Sequence, residues 1–186
     1  MLAITKTDKP EFFESWIKDN KRHNQELREH ILGTEQNHAC CYCEKEVTAN
    51  STDSHVEHVK PQSKFPELKH QYNNLLVSCQ TAGRCGNAKG NQFHEDFIIQ
   101  TEEDPAKYLT YRPDGKIISI EANPKGEKTI DMLNLNSAKL VKARRTLFKQ
   151  LESTYQSLDE FDEFRKYFRP QPTLIAYFRN HYLLDK

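Results

Sequence analysis

The chain has 186 residues and carries 27 basic and 27 acidic side chains, so its formal net charge is zero. An overall electrostatic attraction to nucleic acid is therefore excluded, and any site for a polyanion must be local. The length suits one hydrophobic core, or one core with a small metal-held satellite, and we expect a single unit over residues 1–186.

The sequence also argues against a membrane partner. No apolar run approaches the roughly 20 residues that cross a bilayer. Residues 1–16 lack the basic start and apolar stretch of a signal peptide. The expected compartment is the cytoplasm.

The first predicted element is an N-terminal helix within residues 1–35. Asp8, with Glu11 three residues later, resembles a capping box, and Gly33 stands where a C-cap glycine belongs. Its apolar residues gather toward the two ends, with Trp16 near one and Ile31 near the other. The helix is therefore expected to pack at its ends.

Residues 36–100 break this helical pattern with polar turns, cysteines, histidines and two β-like fragments, HVEHV and NLLVS. Residues 101–186 are predicted to form a hairpin around Pro113-Asp114-Gly115, then C-terminal helices. The helix that begins at Ser137 is predicted to be amphipathic. Its apolar face consists of Leu140, Ala143, Leu147 and Leu151, and its basic face consists of Lys142, Arg145 and Lys149. PTLIAYFRNHYLL is the last predicted helix.

Five clustered cysteines in a chain without a secretion signal indicate metal ligation rather than disulfides. Cys40 and Cys43 form a Cys-x-x-Cys knuckle, and Cys79 and Cys85 form a looser second pair. We expect a structural Zn²⁺ with four thiolate ligands. Cys41 is the spare, unless a shift of register exchanges it for Cys40.

The segments around and between these pairs resemble the HNH endonuclease family. The family pattern is a knuckle, an acidic residue and a histidine ahead of a proline, then Asn-Leu, then a second cysteine pair ending in Asn-x-x-Lys-Gly. The matching residues are Glu57, His58, Pro61, Asn74, Leu75, Lys89 and Gly90, with Asn87 assigned to the last asparagine although it stands one position closer to the lysine than the pattern has it. Two departures stand out, because Glu57 replaces the usual aspartate and Gly86 separates the last cysteine from Asn87. Asn91 and His94 therefore remain rivals of Asn87.

Phosphodiester hydrolysis needs a base, an activated water and a cation. His58 is the predicted general base, while Glu57 and Asn87 are the predicted ligands of Mg²⁺ or a similar divalent ion. Neighbours on a strand point to opposite faces, so Glu57 and His58 can share a site only where the strand ends or bends. Asn74 is expected to hold the loop that keeps the His58 ring in its productive tautomer.

The other polar residues of the motif carry open alternatives. Lys89 either neutralises a phosphate near the cleavage point or is a solvated lysine at a helix start. His55, His70 and His94 are expected to be bystanders, although His55 or His94 joins the metal shell if Asn87 does not.

Later segments extend the resemblance to the PtuB-type HNH subunits of Septu and retron anti-phage defence systems. They are the hairpin, the stretch IDMLNLN and the helix that carries Leu140 with Arg144 or Arg145. This resemblance implies an effector nuclease controlled by a partner ATPase of the ABC/SMC type, called PtuA. DNA is the default substrate, and RNA, particularly tRNA, is its rival.

A non-catalytic, zinc-finger-like adaptor that binds nucleic acid or protein is the alternative function. A dense basic set on one helix is either a phosphate-binding surface or a solvated face; it consists of Lys139, Lys142, Arg144, Arg145 and Lys149. The predicted fold class is α+β, with a ββα-metal (HNH) core and zinc knuckles in residues 36–100 between the N-terminal helix and the C-terminal region.

Overall fold

The structure, a computed structural model, describes residues 1–155, 157–166 and 170–184. These residues form helices and two small antiparallel sheets of two strands each. A search of the described residues finds no helix with the length and apolar character needed to cross a membrane.

The N-terminal region forms two helices rather than one, α1 (Phe13–Lys18) and α2 (Asn20–Thr34). The predicted cap at Asp8 and the predicted stop at Gly33 are wrong, because α1 begins later and Gly33 lies inside α2. The break falls at Asp19, whose carboxylate accepts a hydrogen bond of 3.2 Å from a backbone amide in the first turn of α2. A short polar side chain of this kind competes with the helix backbone and starts a new helix.

The central region contains both strands that the sequence predicts. Strands β1 (Ser54–His58) and β2 (Leu75–Cys79) pair in antiparallel fashion. Two short 3₁₀ turns, Pro66–Leu68 and Tyr72–Asn74, lie between them, and the one-turn helix α3 (Gly86–Lys89) follows β2. Every residue of β2 is buried, whereas β1 is partly exposed, so β1 presents its polar side chains at the edge of the core.

The C-terminal half opens with the predicted hairpin, which is confirmed. Its strands are β3 (Leu109–Tyr111) and β4 (Ile117–Ser119), and Gly115 in the turn has a φ of +89°. The 3₁₀ turns Pro105–Lys107 and Ile120–Ala122 flank the hairpin. The remaining helices are α4 (Pro124–Met132), α5 (Ala138–Thr154), α6 (Leu158–Arg165) and α7 (Pro172–Phe178), which continues as a π-helix at Arg179–Leu183.

The buried face of α5 matches the predicted one in part, because Leu140 and Leu151 are buried and Leu147 is partly buried. Its buried residues are Leu140, Arg144, Phe148 and Leu151. Ala143, which was assigned to the apolar face, is exposed. Arg144 is only 1% exposed, and its guanidinium donates to the carbonyls of Gly115 at 3.0 Å and Leu135 at 2.6 Å. Arg144 therefore anchors the hairpin turn and does not belong to a surface that could contact phosphate.

Helix α7 docks on the Cys-x-x-Cys knuckle through polar contacts. Gln171, just before α7, donates its amide to the carbonyl of Cys43 at 3.2 Å. The backbone amide of Thr173 donates to Glu44 Oε2 at 2.8 Å, and the Thr173 hydroxyl bonds the other oxygen of this buried carboxylate. The Thr173 hydroxyl also lies 2.6 Å from the hydroxyl of Tyr111 in β3. The knuckle thus joins the C-terminal helix to the hairpin.

Candidate active site and metal centre

Four of the five cysteines converge on one buried point. The sulfurs of Cys40, Cys43, Cys79 and Cys85 all lie within 4.8 Å of one another. Thiolates at about 2.3 Å from a tetrahedral Zn²⁺ are about 3.8 Å apart, and the Cys43 and Cys79 sulfurs are 4.0 Å apart. The prediction that these residues form one possible metal cluster is confirmed. Because all four are buried, the cluster offers no open face to a substrate.

Cys41 lies outside this cluster, so the alternative in which it replaces Cys40 is not realised. Its backbone amide donates to the carbonyl of Val77 at 3.0 Å, and its carbonyl accepts from the Gln100 side chain at 2.8 Å. Burial, followed by its hydrogen bond with Cys40, raises the pKa of the Cys41 thiol well above its usual range. Cys41 is therefore a buried, protonated core residue.

A small cleft opens where β1 ends. It has a volume of about 170 Å³ and is lined by Val56, Glu57, His58, Pro61, Gln62, Gly86, Lys89, Gly90 and Asn91. Adjacent strand residues point to opposite sides, but His58 is the last residue of β1. The end of the strand thereby brings Glu57 and His58 to the same cleft.

The orientation of the His58 ring is fixed by one hydrogen bond. Its Nε2 lies 3.1 Å from the carbonyl oxygen of Lys69. Because a carbonyl only accepts, Nε2 carries the proton and, in the neutral ring, Nδ1 carries the lone pair. Burial lowers the pKa of His58 below its ordinary value of 6.5, which favours that neutral ring. A general base needs this protonation state.

Asn74 joins the backbone just after β1 to the loop that precedes β2. Its Oδ1 accepts from the backbone amide of Lys60 at 2.8 Å. Its Nδ2 donates to the carbonyl of Lys60 at 3.0 Å and to the carbonyl of Leu68 at 3.2 Å. Leu68 precedes Lys69, the residue whose carbonyl orients His58. The influence of Asn74 on His58 therefore runs through the loop.

Both carboxylate oxygens of Glu57 have partners. Oε1 lies 2.7 Å from Lys89 Nζ and 3.1 Å from the Tyr42 hydroxyl, while Oε2 lies 3.2 Å from His55 Nε2. Burial alone would raise the pKa of Glu57. The hydrogen bond from His55 and the charge of Lys89 outweigh that effect and lower the pKa, so Glu57 is ionised.

Lys89 does not occupy the position that the sequence suggested. It is the last residue of α3 and is only 1% exposed, so the description of a solvated lysine at a helix start is wrong. Besides its ion pair with Glu57, its Nζ donates to the carbonyl of His58 at 3.1 Å. Lys89 therefore lines the cleft and braces the end of β1.

Asn87, the first choice for the second oxygen ligand, is exposed. Gly86 faces the carboxylate instead: a Cβ built there would lie 2.5 Å from Glu57 Oε2 and 2.6 Å from His55 Nε2. Successive helix residues are turned by about 100°, so the next side chain points elsewhere. Of the two alternatives to Asn87, Asn91 lines the cleft and His94 does not.

Of the three histidines that were expected to be bystanders, one contacts a predicted site residue. His55 contacts Glu57, whereas His70 is exposed and His94 accepts a hydrogen bond from a nearby loop amide at 3.1 Å. The signal for His55 was present in the sequence, because residues two apart on a strand share a face. The contribution of Tyr42 had no such signal, since it comes from the knuckle and meets Glu57 only in the folded chain.

Comparisons with known proteins agree with this site. Residues 40–92 match the family model of the HNH endonucleases. The chain is similar to the Septu protein PtuB of Bacillus thuringiensis, with 32% identity over a match that covers 68% of this chain and 48% of the relative. It is also similar to the Septu protein PtuB of Bacillus mycoides (strain KBAB4), with 26% identity, 74% of this chain covered and 58% of the relative.

The chain thus spans about half the length of the curated relatives that it matches. The resemblance to the HNH family and to PtuB-type proteins, drawn from the motifs, is confirmed.

Proposed function

We propose that the chain is a metal-dependent HNH endonuclease that hydrolyses nucleic-acid phosphodiester bonds, with β1, β2 and α3 acting as a ββα-metal motif. One observation carries this proposal. His58, held by Lys69 in the tautomer with its lone pair on Nδ1, lines the same cleft as the ionised Glu57. A base and a hard anionic oxygen side by side are what hydrolysis of a phosphodiester requires.

Each residue has a distinct task in the proposed reaction. His58 Nδ1 accepts the proton of the attacking water. Asn74 positions the loop that orients His58, and Lys89 keeps Glu57 and the strand end in place. Glu57 would hold the divalent ion, which when bound neutralises charge that gathers on the phosphate and on the leaving oxygen.

The four-cysteine cluster, in this proposal, holds a structural Zn²⁺. A closed thiolate site contributes folding free energy and leaves no coordination position for water. The cluster joins the knuckle before β1 to the residues around α3, so it holds the two sides of the cleft together. We also propose that residues 1–186 work as one unit.

The biological setting that we propose is a cytoplasmic Septu-type anti-phage defence system, in which a PtuA-type ABC/SMC ATPase controls the nuclease. The printed names of the relatives support the setting. The zero net charge, together with the burial of Arg144, supports the need for a partner that brings nucleic acid to the site. DNA is the first substrate to test and tRNA the second.

The decisive experiment compares His58→Ala with His70→Ala in zinc-loaded protein, with and without the partner ATPase, on plasmid DNA and on tRNA. Losing a general base should lower the cleavage rate about 10²–10⁴-fold, while loss of the exposed His70 should change the rate less than about twofold. Zinc content and circular dichroism should match between the two variants. If the wild type binds nucleic acid without cleaving it, or His58→Ala cleaves normally, the adaptor function replaces the nuclease.

A further inference from the structure

The two ring nitrogens of His55 face two different acceptors. Nδ1 lies 2.6 Å from Gln80 Oε1, and Nε2 lies 3.2 Å from Glu57 Oε2. An amide oxygen only accepts, so Nδ1 donates its proton to Gln80. Nε2 and Oε2 then face each other across a gap that a cation fills. In the metal-free chain a proton on Nε2 does so, and a divalent ion bound to both atoms would replace that proton.

The spacing of these two atoms suits neighbouring ligands of one ion. With bonds of about 2.1 Å and a right angle at the ion, two ligand atoms lie about 3.0 Å apart. The observed separation is 3.2 Å. A metal-bound histidine typically donates its other N–H to an oxygen acceptor, which is the contact that Gln80 provides.

The two atoms can lie where they do only because residue 86 is glycine. A Cβ at this position would lie 2.5 Å from Glu57 Oε2 and 2.6 Å from His55 Nε2. Lys89 and Tyr42 contact the other carboxylate oxygen, Oε1, so an ion on Oε2 would displace neither of them.

We propose that His55 and Glu57 together hold the divalent ion of this nuclease, that Gln80 orients His55, and that Asn87 is not a ligand. The assignment rests on the proposed function, because it names the ligands of the same ion. The oxygen ligand expected on α3 is replaced by an imidazole on β1, and Gly86 leaves room for it. Such a mixed imidazole and carboxylate pair binds transition ions such as Mn²⁺ in preference to Mg²⁺, which favours oxygen ligands.

The test measures Mn²⁺ binding to the full, zinc-loaded chain without any substrate. Titration calorimetry should show an affinity at least tenfold weaker in His55→Ala and in Gly86→Ala than in the wild type, and a change of less than about twofold in Asn87→Ala. Pulsed electron paramagnetic resonance should detect a directly bound nitrogen in the wild type and in Asn87→Ala, and should lose it in His55→Ala. Equal zinc content and equal circular dichroism confirm that the variants are folded.

Two results would overturn the assignment. In the first, His55→Ala binds Mn²⁺ like the wild type while Asn87→Ala loses it. In the second, the wild type binds Mn²⁺ without a nitrogen ligand. Neither result tests the role of His58 as general base. The cleavage assay of His58→Ala tests that role separately.

Discussion

Replacing Asn74 with alanine should loosen the strand end that carries His58. The side chain makes three hydrogen bonds, at 2.8 and 3.0 Å to the backbone of Lys60 and at 3.2 Å to the carbonyl of Leu68. Alanine leaves these backbone groups without their amide partners in a region where Asn74 itself is only 7% exposed. The loop that orients His58 is then no longer tied to the end of β1.

The expected cost follows from these three bonds. Each contributes about 0.5–1.5 kcal/mol net, and more where a buried group is left unpaired. The free energy of unfolding should therefore fall by about 2–4 kcal/mol. For a chain of this size that corresponds to a decrease in Tm of roughly 4–16 °C. Cleavage should slow at least about tenfold. We expect the misplaced His58 to raise the activation free energy by about 1.4 kcal/mol or more, and each 1.4 kcal/mol lowers the rate about tenfold.

Asn73→Ala is the matched control, since Asn73 is the same residue type, directly adjacent and exposed. Urea unfolding and thermal unfolding of the zinc-loaded variants, followed by circular dichroism, measure the stability difference. Initial cleavage rates measure the second effect. If Asn74→Ala unfolds within about 0.5 kcal/mol of Asn73→Ala, the reasoning about the loop is refuted.

Three further predictions concern the cluster, two glycines and pH. Cys79→Ser should lose the proposed Zn²⁺ while Cys41→Ser keeps it, as metal analysis by mass spectrometry would show. Gly115→Ala should cost about 2 kcal/mol or more in urea unfolding, because φ is +89° and the new Cβ would lie 2.2 Å from a backbone oxygen of α5. Gly33→Ala has open space within α2 and should stabilise by about 0.5–1 kcal/mol; equal effects at the two glycines would contradict this. With the divalent ion saturating at every pH, the cleavage rate should hold as the pH falls through 6.5 and drop only below it, because burial lowers the pKa of His58 and the neutral ring is the active form. Under saturating ion, a decline that begins above pH 7 would count against His58 as the base.

The parts of the fold that the sequence predicted depend on a few neighbouring residues. The Cys-x-x-Cys knuckle and the Pro-Asp-Gly turn are local patterns, and both are found where expected. Helix α4 was missed although Asn123 caps it, accepting a hydrogen bond of 3.0 Å from the amide of Lys125. The helix has nine residues, which is too few for a clear apolar period to distinguish it from a loop.

The burial of charged residues could not be read from the sequence. Lys89 and Arg144 were each expected at the surface, as a phosphate contact or as a solvated cation, yet each is 1% exposed. Their partners, the carboxylate of Glu57 and the carbonyls of Gly115 and Leu135, approach them only in the folded chain. The order of the motifs therefore identified the region of the site. Which residues of α3 face Glu57 could be seen only in the folded structure.

If the cluster holds Zn²⁺ as proposed, the contact between α7 and the knuckle would tie the lifetime of the protein to its metal supply. Glu44 and the carbonyl of Cys43, which receive the start of α7, belong to the knuckle that the metal would hold in place. In a metal-starved chain α7 would detach and uncover Leu174, Ile175 and Phe178, which are buried in the folded protein. Quality-control proteases recognise such apolar segments, so starved copies would be cleared before they could act.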